Sequence, residues 1–186
     1  IEDLEFHDGK KTALGLAKSV KLNKHAVAEG DKYQELVSYI GDILITNQWL
    51  KKRYLPKAFS PPEINKYEVG DGYGRHFDNS HISTESGSIK LDFSFTLMLS
   101  SKSDYEGGEL KIETGSMTHE VKMDAGDLVI YPSSYIHSVL NITKGKRVAY
   151  VGWITSYIKD QFAFETINAY EDMHLVLLKY NLSEED

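Results

Sequence analysis

YEVGDGYGRHFD, residues 67–78, is the stretch on which the reading of this chain turns. Gly70, Gly72 and Gly74 predict a turn between two extended segments. The closing triplet His76-Phe77-Asp78 then places an imidazole and a carboxylate two residues apart. Alternate side chains of a β-strand share a face, so His76 and Asp78 are expected to project together while Phe77 turns into the core. That makes two candidate metal ligands. One further histidine would complete the 2-His-1-carboxylate set, which covers one face of an octahedron and leaves positions open on Fe(II) for oxygen chemistry.

The remainder of the chain bounds the possibilities. Its 186 residues suit one domain with a single substantial core. A hydrophobic content of 41% and a charged content of 26% are those of a globular protein, with no apolar run near the roughly 20 residues of a membrane span. The formal net charge of -7 argues against a nucleic-acid binder of the basic-patch type. With no cysteine there is neither a disulfide framework nor a thiolate metal site, so His, Asp and Glu are the available strong ligands. No secretory signal opens the sequence, and the expectation is a cytoplasmic protein that needs no membrane.

Residues 1–62 are read as irregular and helical support. Their opening part has no clean period, and a helix follows with Asp31 as its cap, Gln34 three residues on, and Tyr33, Leu36, Val37, Ile40, Ile43 and Leu44 on one face. That face should pack on a sheet. Ser60-Pro61-Pro62 breaks the chain before an extended segment. Residues 63–155 are strand and turn almost throughout: LDFSFTLMLS, GGELKIE, MTHEVKM, DLVIYP, IHSVLNI and RVAYVGWIT alternate with glycine-bearing turns. Many short strands flanked by helices predict a mainly β sandwich or barrel. Residues 156–186 are expected to close the chain as a helix capped by Ser156 and ending in an acidic tail.

Among seven histidines, His137 stands out, at the start of a strand predicted after Pro132-Ser133-Ser134. Arg147 opens the next strand. A hairpin through Lys144-Gly145-Lys146 would place Thr143 opposite Arg147, so that 137, 139, 141, 143, 147, 149, 151 and 153 share one face. His81 follows Asn79-Ser80 and reads as a loop residue, and the spacing GDGYG is no phosphate loop because no βαβ unit follows it.

His76, Asp78, His137 and Arg147, in the order His-x-Asp, His, Arg, resemble the 2-oxoglutarate/Fe(II) dioxygenase superfamily. YEVGDGYGRHFD, LDFSFTLMLS, DYEGGEL, AGDLVIYPSSYIHSV and RVAYVGWITSYIKD are similar to the PKHD-type, prolyl-4-hydroxylase-like hydroxylases. The resemblance implies a double-stranded β-helix, the cupin-like jelly roll, with N-terminal and C-terminal helical segments. It implies His76, Asp78 and His137 as iron ligands and Arg147 as the anchor of the 2-oxoglutarate distal carboxylate. Tyr67 and Trp153 match aromatic residues near the cosubstrate. The implied reagents are Fe(II), 2-oxoglutarate and O2, with ascorbate as an auxiliary reductant. The implied reaction hydroxylates a C–H bond, of a prolyl or other amino-acid residue in a protein or peptide or of a small molecule, and releases succinate and CO2. Two other readings compete: a non-catalytic jelly-roll binding module, and a cupin-type metalloenzyme, which would more usually carry His-x-His.

Overall fold

The strict alternation of residues 147–156 dictates the centre of the fold. Val148, Tyr150 and Ile154 are buried on one face of this strand, while Arg147, Ala149, Val151 and Trp153 point to the other. Both faces must therefore be covered. The computed structural model describes residues 3–12, 15–84 and 87–179, so the acidic tail lies outside the described residues.

The chain begins with β1 (Phe6–Asp8), α1 (Gly15–Ser19), β2 (Lys21–Leu22) and β3 (Lys24–Ala26), followed by α2 (Asp31–Thr46) and α3 (Gln48–Tyr54). Next come β4 (Pro56–Phe59), β5 (Glu63–Tyr67), β6 (Gly72–His76), β7 (His81–Thr84), β8 (Gly87–Lys90) and β9 (Phe93–Met98). The last strands are β10 (Tyr105–Gly107), β11 (Leu110–Thr114), β12 (Met117–Val121), β13 (Leu128–Pro132), β14 (Ile136–Val139), β15 (Ile142–Gly145) and β16 (Arg147–Ser156), before α4 (Gln161–Lys179).

The larger sheet has the order β1-β3-β5-β16-β9-β13, with β4 also paired to β16, and the smaller has the order β12-β11-β14-β6-β2. Between β5 and β16 the chain passes back and forth between these two antiparallel sheets, the jelly-roll arrangement expected, while β7-β8 and β10-β15 form separate two-stranded pairs. One face of the larger sheet packs Ile64, Phe95, Val148 and Tyr150 against Tyr33, Ile40 and Leu44 of α2. Its other face joins the smaller sheet around Tyr67, Met98, Leu110, Ile112, Tyr131, Val139 and Ala149. Burial of these side chains, each worth about 1.5–3 kcal/mol, holds the layers together.

Several local expectations are corrected. The N-terminal segment is not irregular: β1 and β3 extend the larger sheet, and at three residues each they are too short to display a period. Gly30, not Asp31, is the N-cap of α2, and Ile43 is half exposed on its outer side. Ser156 ends β16 and donates to the Tyr54 carbonyl at 3.0 Å, while Asp160 Oδ1 accepts the Ala163 N–H at 2.8 Å and caps α4. The predicted hairpin does not form either. β15 pairs with β10, and β16 crosses to the larger sheet between β5 and β9. His137 and Arg147 consequently sit on opposite sheets and face each other across the interior. Among the described residues no helix is long and apolar enough to cross a membrane.

Candidate metal centre

His76 closes β6 directly opposite His137 on β14, and their ring centroids are 4.2 Å apart. Asp78 lies beyond the end of β6, where its N–H donates to the Ser133 carbonyl at 3.3 Å. Its Oδ1 is 3.9 Å from His76 Nε2 and 3.8 Å from His137 Nε2. One ligand atom from each of the three residues lies within 4.8 Å of the others, close enough to share one ion.

The backbone selects the useful tautomer. His76 Nδ1 is 2.8 Å from the Gly74 carbonyl and His137 Nδ1 is 3.0 Å from the Tyr135 carbonyl. A carbonyl only accepts, so each Nδ1 carries the proton and each Nε2 keeps a lone pair for a metal. Burial, reinforced by the neighbouring His137, lowers the His76 pKa to about 4, and the ring is therefore neutral near pH 7. On Asp78, Ser94 Oγ and Trp153 Nε1 both donate to Oδ2, at 2.5 and 2.8 Å.

His76, Asp78 and His137 line a cavity of about 290 Å³ that also reaches Arg147, Tyr67 and Trp153. Arg147 is 2% exposed, stands opposite Tyr67 in the β5–β16 register, and places its guanidinium carbon 5.2 Å from the Tyr67 ring centroid. Its Nε has no hydrogen-bond partner among the described residues. A buried cation with an idle donor is costly unless an anion joins it. Burial pushes the Tyr67 hydroxyl up to about 12 against the opposing pull of Arg147, so Tyr67 is neutral and does not neutralise the guanidinium.

All six residues singled out from the sequence thus border one cavity, although Phe77 does not behave as expected. It is 67% exposed at the cavity lining, because β6 ends at His76 and the chain turns before the alternation can bury it. His81, in β7, is exposed and bonded to Ser80, away from the cluster. Sequence reasoning also missed Tyr73, whose ring stacks on His76 at 3.6 Å between centroids. Strict alternation puts residues 73 and 76 on opposite faces. The β6–β14 register shifts between the pairs His76↔His137 and Tyr73↔Val139, and this bulge brings both rings inward. Lys21 was missed as well: it is 3% exposed and donates to Thr12 Oγ1 at 2.7 Å, with Glu63 Oε2 at 3.4 Å. No sequence signal marks it.

Residues 62–155 match the 2OG-Fe(II) oxygenase superfamily. The chain belongs to that superfamily. A PKHD-type hydroxylase of Alteromonas mediterranea is 39% identical over 90% of this chain and 75% of its own length. One from Prochlorococcus marinus is 42% identical over 83% of this chain and 68% of its own. Among solved structures, a prolyl hydroxylase from Trichoplax adhaerens, in complex with a hypoxia inducible factor peptide fragment, superimposes with a TM-score of 0.57 at 20% identity. It covers 89% of this chain and 73% of that one. A Pseudomonas putida prolyl-4-hydroxylase gives 0.54 at 20% identity over 82% of this chain and 77% of that one. These two likenesses concern the fold.

As a 2OG-Fe(II) oxygenase the protein is a hydroxylase, an oxidoreductase that uses Fe(II), 2-oxoglutarate and O2. The donor set fits the metal: two imidazole nitrogens and one carboxylate oxygen converge, and the cavity leaves room on their open side.

Proposed function

We propose that His76, Asp78 and His137 ligate Fe(II), that Arg147 anchors the distal carboxylate of 2-oxoglutarate, and that Tyr67 and Trp153 wall the cosubstrate pocket. The substrate is a prolyl or other amino-acid residue of a protein or peptide, hydroxylated at a C–H bond with release of succinate and CO2, and ascorbate serves as auxiliary reductant. The observation that carries this reading is Arg147: a guanidinium 2% exposed, with an unpartnered Nε, in the same cavity as the three ligand atoms. Its planar fork suits a carboxylate held by paired hydrogen bonds. For the substrate class, support comes from the PKHD-type relatives and from the peptide bound to the Trichoplax adhaerens protein.

When bound, iron and 2-oxoglutarate supply the oxidising chemistry. The chain's own part is to hold and to exclude. Nδ1 protonation aims His76 and His137, Asp78 contributes one anionic oxygen, and Tyr131 and Val139 keep water from the interior beneath them.

Anaerobic Fe(II) titration with and without 2-oxoglutarate, on wild type and His137→Ala, tests the proposal through the weak visible charge-transfer band of the chelate. A band that requires both additions and the intact histidine is the expected result. A folded wild type without a band refutes the assignment and favours a binding module.

A further inference from the structure

Both hydrogen-bond donors that reach Asp78 converge on a single oxygen. Ser94 Oγ and Trp153 Nε1 approach Oδ2 from two strands, β9 and β16, that are neighbours in the larger sheet, while Asp78 itself follows β6 of the smaller one. Among the described residues no donor reaches Oδ1, the oxygen that faces both histidine Nε2 atoms. A buried carboxylate needing only solvation would be served by donors on either oxygen. The asymmetry has another consequence.

We propose that Trp153 and Ser94 are positioning residues that hold Asp78 to ligation through one oxygen, by occupying the other. The inference rests on the reading of His76, Asp78 and His137 as the ligand set. With Oδ2 engaged, the three residues fill three coordination positions and leave the rest for cosubstrate and oxygen. A carboxylate free to turn could bind through both oxygens and take one of those positions.

Ser133 lies beside the arrangement. Its Oγ is 2.9 Å from Ser94 Oγ, and both serines are buried, 3% and 0% exposed. The single Ser94 proton has two acceptors within reach, Asp78 Oδ2 and Ser133 Oγ, and the carboxylate is the nearer and the stronger. Trp153 is fixed in turn through its backbone: its N–H donates to Ser60 Oγ at 3.0 Å, and its carbonyl accepts the Ser60 N–H at 2.9 Å.

The test is Co(II) titration, followed by visible absorption without 2-oxoglutarate, of wild type, Trp153→Phe, Ser94→Ala and the double variant. Each single variant should raise the Co(II) dissociation constant about tenfold, the lower end of outer-shell effects. The double variant should depart from the product of the two, because both donors serve the same oxygen. Thermal unfolding of the metal-free protein should stay near wild type for Trp153→Phe, which keeps an aromatic ring in place. Unchanged cobalt affinity with weakened 2-oxoglutarate binding would make Trp153 a pocket wall only, and overturn the inference. So would affinity losses that merely track lost metal-free stability. A wild type that takes up no cobalt removes the metal reading itself and this inference with it; a wild type that binds no better than either variant refutes the inference alone.

Discussion

Arg147 and Tyr67 face each other in the register of the two central strands, the guanidinium over the phenol ring at 5.2 Å. The pairing carries no charge neutralisation, because burial keeps the phenol protonated. It orients the cation instead, and among the described residues no carboxylate forms an ion pair with it. Arg147→Ala should therefore weaken 2-oxoglutarate binding by about 3 kcal/mol, the cost of leaving a buried carboxylate unpaired. Metal affinity should change little. Calorimetry of Mn(II) binding and then of 2-oxoglutarate binding separates the two, and equal loss of both would make Arg147 a structural residue.

Gly74 stands where β2 crosses close to β6. A Cβ built there would lie 2.7 Å from Val20 Cβ, and the Gly74 N–H donates to the Val20 carbonyl at 2.9 Å. Gly74→Ala is expected to push the two segments apart and cost roughly 1–3 kcal/mol, the range for overpacking a close contact. Val20→Ala removes the two methyls at 3.2 and 3.3 Å but keeps the Cβ at 2.7 Å, so it should recover only part of that loss, which a double-mutant cycle by urea unfolding will read.

His25 gives the metal-free protein a pH dependence. Burial holds its pKa below the usual histidine value, nearby Glu63 opposes the shift, and Lys21 and His7 reinforce it. Its Nδ1 is buried without a hydrogen-bond partner. The unfolded chain binds the proton more readily than the folded one, so this contribution is fully present above about pH 6.5 and is lost as the pH falls through that value toward the folded pKa. Urea unfolding between about pH 7.5 and 5 should show stability declining with acid. His76, whose pKa is lowered to about 4, adds to the same decline, so His25→Gln should reduce it without abolishing it.

The candidate ligand cluster was legible because its signals are local. His-x-Asp keeps the two side chains two residues apart even though the strand ends at His76, and the alternation of 147–153 places Arg147 and Trp153 on one face whatever the partner strand. Strand pairing was not legible. A glycine between two lysines reads as a hairpin, yet Gly145 turns with φ of 73° while its strand pairs with Tyr105–Gly107, and Arg147 enters the opposite sheet. His137 and Arg147 do not share a strand face as expected; they line one cavity because two sheets close around it. Tyr73, Ser94 and Lys21 escaped notice because a bulge, an unremarkable serine in an apolar strand and a two-residue strand leave no periodic trace.

Phe77 and Phe95 distinguish the predicted core from the actual one. Alternation from His76 sends Phe77 inward, but its side chain stands 67% exposed beside the cavity, whereas Phe95 is 3% exposed between the larger sheet and the helices. Phe95→Ala should cost about 3–5 kcal/mol, the range for emptying a packed aromatic site. Phe77→Ala removes little buried surface, and its cost should stay near 0.5 kcal/mol, roughly the effect of an ordinary surface substitution. Urea unfolding of the two variants reads this difference directly. A large loss at Phe77 would mean that the ring is covered in solution by something outside the described residues.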